Sequence, residues 1–348
     1  MPSITFVVGA GASNEVRFPV GSELKATIAK QLDIRYHNGY KIEGDDLIAE
    51  SIRYLGALNS SGLGDARQIQ VACWRVRDGM PLSPSIDNYI DSHRNDAGIA
   101  QVGKLAIARS ILLAEAKCAL YFDWMKADAN IPFGEVASTW FSLFFQLFIA
   151  GGDLEEAKER LKRIAVVSFN YDRCLEHFLV HAFRAYFPLS EAEATEIVGR
   201  INIVHPYGTV GKLPLGVNSL GTRFGAEVTS SELVEIANRI RTYSEGTDPE
   251  SSSIEEIRQL LPTSERVVFL GFAFHRMNID LLIPNSVASG PTQVRGVFAT
   301  GKGLSKSDVD IVSRDISGRL GIPIGHMTVE RDMTCASLMN EYRRTLAP

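Results

Sequence analysis

Short β-branched runs alternating with helical patterns constrain this chain more than any other feature. "ITFVVG" comes first, and "RIAVVSFN", "INIVHPYGTVG", "RVVFLGFAF" and "TQVRGVFAT" follow. Between them, "GSELKATIAKQL", "YDRCLEHFLVHAFRAYF", "SSELVEIANRIRTY" and "SKSDVDIVSRDISGRL" carry helical patterns; Leu24, Ile28 and Leu32 mark the first. Strands that read as continuous apolar runs are buried on both faces, which calls for a parallel sheet covered by helices on each side. The expected fold class is therefore α/β: a Rossmann-like, doubly wound, mostly parallel sheet. Ser22 and Ser305 stand where helix N-caps belong.

From about Asp45 to Leu161 the texture changes. "DDLIAESIRYLGAL", "KLAIARSILLAEAKCALYFDWMKA" and "TWFSLFFQLFIAG" read as helices with few strand signals. Residues 1–44 and 162–348 are thus expected to build the sheet domain, and 45–161 a helical insertion. Residues 212–225 read as a Gly-rich loop, and "SEGTDPESSS" (244–253) as a polar one.

A chain of 348 residues, 45 % hydrophobic and 22 % charged, has material for a sizeable core. Its net charge of −5 gives no bulk attraction to nucleic acid or to an anionic membrane, so neither is an expected partner. The four cysteines, Cys73, Cys118, Cys174 and Cys335, form no CxxC pair, so no zinc ribbon or other metal site is expected. "ITFVV" reads as a strand rather than a signal segment, and four such cysteines suit the cytoplasm. "WFSLFFQLFIAGG" is about half the length a membrane span needs; a buried helix or an oligomer contact accounts for it.

Ligands of open parallel sheets bind beyond the carboxyl ends of the strands. Here those ends read Gly9-Ala10-Gly11-Ala12-Ser13, Asn170-Tyr171-Asp172, His205-Pro206-Tyr207-Gly208-Thr209, Gly271-Phe272 and Thr300-Gly301. Five ends carrying glycine or polar groups point to one large ligand lying across the sheet edge. The first matches the dinucleotide fingerprint only partly, because Asn14 occupies the third glycine position. Free backbone N–H groups ahead of a helix would favour a pyrophosphate. No strand bearing a terminal acidic residue follows, which argues against an ordinary nicotinamide dehydrogenase.

"GAGAS" with Pro19 downstream, then "SFNYDRCLE", "VHPYGTVG" and "VVFLGFAFHRMNID" resemble, in that order, the sirtuin-like family of NAD-consuming domains. The closer likeness is to its bacterial anti-phage defence branch, where "SPSIDNYIDSH" also has a counterpart. The resemblance implies that Gly9, Ala10, Gly11, Ala12 and Ser13, with Pro19, hold the pyrophosphate of NAD. It implies that Asn170 and Asp172 face the nicotinamide and its ribose. Gly271 and Phe272 would lie near the adenosine ribose, and Thr300 with Gly301 at the adenine end. The family's general base directly precedes a glycine. Here Tyr207 precedes Gly208 and His205 lies two positions earlier, so His205 is the expected base and Tyr207 a second contact.

The missing zinc module argues for cleavage of NAD by water rather than protein deacylation. The implied activity is an NAD glycohydrolase, a NAD-depleting effector that works as a homo-oligomer or under a separate trigger such as a helicase-type ATPase. A degenerate fold that binds NAD or ADP-ribose without catalysis is the alternative, and a deacylase the third. Plainer readings stand beside these. Asn170 and Asp172 suit a helix cap, His205 a satisfied core histidine, and Asp87 a turn. His177 and His181, four apart on one helix, suit a plain helix face better than a metal, and surface polarity accounts for His275 and Arg276.

Overall fold

The computed structural model of the protein describes residues 2–58, 66–126, 129–214, 221–247, 254–284 and 292–347. Parts of both expected loops, 215–220 and 248–253, lie outside the described residues. The strands are β1 (Ile4–Val8), β2 (Arg35–His37), β3 (Tyr40–Glu43), β4 (Ile164–Ser168), β5 (Asn202–Val204), β6 (Arg266–Leu270), β7 (Gly296–Thr300) and β8 (Met327–Glu330). Six of them form one sheet in the order β5-β4-β1-β6-β7-β8, every neighbouring pair parallel. Renumbered within the sheet this is 3-2-1-4-5-6, the doubly wound order. β1 and β4 are buried along their whole length, as continuous apolar runs require.

Strand order reverses between β1 and β6. The chain builds outward from β1 through β4 to β5, then returns to β1's other side. Val8 pairs with both Ser168 and Leu270, so the tips of β4, β1 and β6 end level. Crossovers leaving a level rim in opposite directions open a crevice there.

Helices Asp46–Leu58, Ala66–Gly79 and Ala97–Glu115 pack together, as the texture of 45–161 implied. The bundle also takes in Gly21–Gln31 and Ser230–Ala237, from either side of that segment. Helix Ala97–Glu115 starts earlier and ends sooner than the sequence pattern suggested; Cys118 and Leu120 lie in turns beyond it. It is long and apolar enough to cross a membrane, yet over half of that window is buried in the protein. Its last residue, Glu115, is fully buried and paired with buried Arg173, Nε to Oε1 at 3.0 Å. Helix Trp140–Ile149 is a core element, with Phe144 edge-on to Phe6 of β1 at 5.0 Å.

Ser305 caps its helix, accepting from the N–H of Asp308. Ser22 does not cap. The helix begins at Gly21, and Glu23 reaches back to the Val20 N–H at 3.0 Å, leaving Ser22 exposed in the first turn. The hairpin β2–β3 and the edge strand β8 have no counterpart in the sequence reading. All four cysteines are buried free thiols.

Candidate active site

The crevice at the β1/β6 switch point is a cleft of about 470 Å³, within the range of small-molecule sites. Gly9, Ala10, Gly11, Pro19, Asn170, Asp172, Tyr207, Gly271, Phe272 and Thr300 line it. Ala12, Ser13, His205 and Gly208 do not. Ser13 nevertheless ties the site together from behind. It is buried, its Oγ donates to Asp172 Oδ2 at 2.9 Å, and it accepts from Asn170 Nδ2 at 3.0 Å. Asn170 Nδ2 also donates to the Gly9 carbonyl at 3.2 Å. The tips of β1 and β4 are thus joined by side-chain hydrogen bonds through Asn170 Nδ2, and among the described residues Oδ1 takes no hydrogen bond.

Asp172 Oδ2 takes the Ser13 hydroxyl at 2.9 Å while Oδ1 accepts the Cys174 N–H at 3.0 Å, one residue ahead of Arg173, which holds the N-cap position of helix Cys174–Tyr186. Burial pushes its carboxyl above the ordinary value, against those hydrogen bonds. Asn170 is not a cap; its amide is spent across the strand tips.

The glycine turn differs from the expectation of free N–H groups. The Gly9 N–H donates to Leu270 O and the Gly11 N–H to Gly271 O, both at 3.0 Å. A Cβ on Gly9 would stand 2.7 Å from Gly271 O. One on Gly271, whose φ is +58°, would stand 2.0 Å from Ala12 N. Small residues are needed because two backbone turns touch at the switch point, and the same contact leaves them lining the cleft. Thr300 supports the second turn, its Oγ1 accepting from the Gly271 N–H at 2.8 Å. Trp140 supports the first, donating through Nε1 to Ala12 O at 2.9 Å.

His205 is not positioned as expected. Nδ1 lies 2.9 Å from Asn170 O and Nε2 lies 2.8 Å from Glu176 Oε1. Both partners offer acceptor oxygens, an arrangement that favours the protonated imidazole, in which both ring nitrogens donate. Burial works against that charge, but Glu176 outweighs it and raises the His205 pKa. Burial likewise opposes the Glu176 carboxylate, and His205 prevails in lowering its pKa. With both ring nitrogens engaged and its side chain outside the cleft lining, His205 braces the Asn170 backbone. Pro206 does not swing it into the cleft. Gly208 (φ +71°) serves the turn itself, since a Cβ there would meet Arg239 O at 2.3 Å.

Tyr207 does line the cleft. Its hydroxyl donates to Asn278 Oδ1 at 2.6 Å, and burial pushes its pKa well up, so it is a neutral phenol. Asp87, which turn chemistry could have explained, also lines the cleft, and the Tyr171 hydroxyl hydrogen-bonds to its Oδ1. His275, Met277 and Asn278 follow β6 and line the same cleft, although surface polarity sufficed for His275 in the sequence. The signal for these was positional: they sit just beyond a strand tip.

The chain matches no family model and no curated protein. Among the described residues no group of three or more His, Cys, Asp or Glu could hold a metal ion. His177 and His181 pack against aromatic rings. His177 stacks on Phe224 at 4.0 Å and His181 stands edge-on to Phe122 at 4.9 Å. Burial lowers both pKa values, that of His181 to about 4.

Proposed function

We propose that the protein is an NAD glycohydrolase, cleaving NAD to nicotinamide and ADP-ribose. One observation carries the reading: the level tips of β4, β1 and β6 share a single cleft lined by Asn170, Asp172 and the Gly9–Gly11 turn. The order of motifs resembling sirtuin-like NAD-consuming domains supports it. The substrate's nicotinamide departs as a neutral molecule from a cationic bond, so the leaving group needs no acid. Water adds to the anomeric carbon, and its proton passes to solvent. Asn170 Oδ1 is suited to orient that water or a ribose hydroxyl, and the Asp172 charge to oppose the developing cation. Lys302 lines the cleft near the β7 tip and would supply the positive charge for phosphate that the engaged glycine N–H groups do not. By the same resemblance we assign the activity to anti-phage defence in the cytoplasm, with self-assembly or a partner ATPase as the trigger.

Nicotinamide release from NAD, followed by chromatography, tests the activity. Asn170→Ala should cut the rate by about 10²–10³, the scale of losing one preorganised polar group. No release from wild type, with or without trigger candidates, would refute the hydrolase. The second reading, a binder of NAD or ADP-ribose without turnover, is favoured by the committed ring nitrogens of His205. NAD affinity without nicotinamide release would establish it.

A further inference from the structure

Asp87 is a cleft carboxylate that the reading above leaves unused. It opens helix Ile86–Ser92, but Ser85 already caps that helix, accepting the Asn88 N–H at 3.1 Å. Asp87 makes no ion pair with Lys or Arg among the described residues; Tyr171 is its side-chain donor, and His275 bears on it electrostatically. The other two cleft carboxylates, Asp172 and Glu15, each have both oxygens hydrogen-bonded.

Around Asp87 the wall is aromatic. Tyr171 and Tyr207 lie 6.3 Å apart at 30°, Phe169 is edge-on to Tyr207 at 5.6 Å, and Phe272 stands 5.2 Å from Phe169. All four are buried, and all line the cleft beside Asn170. Tyr171 is committed to Asp87 and Tyr207 to Asn278, so neither hydroxyl is free for a ligand without a rearrangement. A carboxylate set among π faces, with no Lys or Arg paired to it among the described residues, is the chemistry that holds an organic cation; a neutral ring of the same shape gains only the packing.

We propose that Asp87, with Tyr171 and Tyr207, forms a cation pocket that selects the oxidised, positively charged nicotinamide ring over the reduced, neutral one. The proposal rests on the dinucleotide reading and adds the group that sets its redox specificity. Tyr171 is a positioning residue: its hydroxyl holds one Asp87 oxygen and thereby aims the carboxylate. Burial raises the Asp87 pKa and its bond to Tyr171 lowers it, with burial ahead. A cation beside it relieves the desolvated charge.

Calorimetry on the full chain at pH 8 tests this, using carba-NAD, which keeps the pyridinium but cannot be hydrolysed, and its dihydro form. Wild type should bind the cationic form at least about tenfold more tightly. Asp87→Asn should bring the two affinities within about twofold while leaving the dihydro form's affinity unchanged, which also reports an intact cleft. Asp87→Glu should restore the preference, and Tyr171→Phe should reduce it, since the carboxylate then lacks its anchor. Equal binding of both forms by wild type, or an unchanged preference in Asp87→Asn, overturns the cation pocket and leaves the dinucleotide reading standing. Binding of neither form overturns both.

Discussion

Ser13→Ala probes the joint between β1 and β4 without touching a cleft-lining residue. Ser13 is 2 % exposed, so no solvent stands ready to replace its hydroxyl. The substitution removes the acceptor of Asn170 Nδ2 and the donor to Asp172 Oδ2. Asn170 keeps Gly9 O, and Asp172 keeps the Cys174 N–H. The loss is therefore one neutral hydrogen bond and one to a carboxylate, about 1 and about 1.5–3 kcal/mol, or roughly 2.5–4 kcal/mol in all. Urea denaturation at pH 7.5 measures it. A cycle with Asp172→Asn should return a coupling of about 1.5 kcal/mol or more between the two positions. The joint also aims Asn170, so affinity for carba-NAD should fall in the folded variant. A destabilisation below about 0.5 kcal/mol with unchanged affinity would refute the claim that this network holds the two tips in register.

The remaining predictions concern pH and backbone. Folded His181 has a pKa near 4 against an ordinary 6.5, so the unfolded chain takes the proton first as pH falls. Stability is then full above pH 6.5 and declines toward pH 4, by roughly 3 kcal/mol for this residue alone. Its Nδ1 is buried without a partner among the described residues, so His181→Phe should flatten that decline at no cost at pH 7.5; a steeper acid midpoint shift in the variant contradicts this. The His205–Glu176 pair behaves differently. Raised His205 contributes stability below about pH 6.5 that is lost as pH rises through its folded pKa. Lowered Glu176 contributes above about pH 4.5, lost as pH falls through its own folded value. In a His181→Phe background Glu176→Gln should remove the alkaline loss, read by denaturation from pH 6 to 9; persistence of that loss would place its source elsewhere. Gly271→Ala adds about 1–2 kcal/mol for left-handed backbone and must also displace the Gly9–Ala12 turn. It should lower the melting temperature and weaken dinucleotide binding together. A variant with native melting temperature and affinity would show that the two turns need not touch.

Much of the fold was legible along the chain. A buried parallel strand must be apolar on both faces, and that requirement writes itself into the runs of β1, β4, β6 and β7; β5, half-buried at one edge, was still marked by the apolar "INIV". β8 escaped because an edge strand need not be apolar: "MTVE" is half-buried throughout. The hairpin β2–β3 carried an Asn38-Gly39 turn signal, both residues at positive φ, between the alternating runs "RYH" and "YKIE", but strands of three and four exposed residues are too short to stand out along the chain. Helix existence followed from periodicity. The cap at Val20 did not, because Glu23 three residues on, not the first serine, satisfies the open N–H.

What the linear order determined by itself was which residues stand at strand ends, since the passage from an apolar run to glycine and polar groups is local. Gly9, Asn170, Asp172, Gly271 and Thr300 were found that way, and each lines the cleft. What each atom does there was decided only by contacts between distant segments. The imidazole of His205 is engaged by a carbonyl 35 residues away and a carboxylate 29 away. Asp87 meets Tyr171 across 84 residues. Hydrogen-bond commitment is a property of three-dimensional neighbours, so a residue type marks a candidate while the packing around it settles whether a lone pair or a charge remains to act.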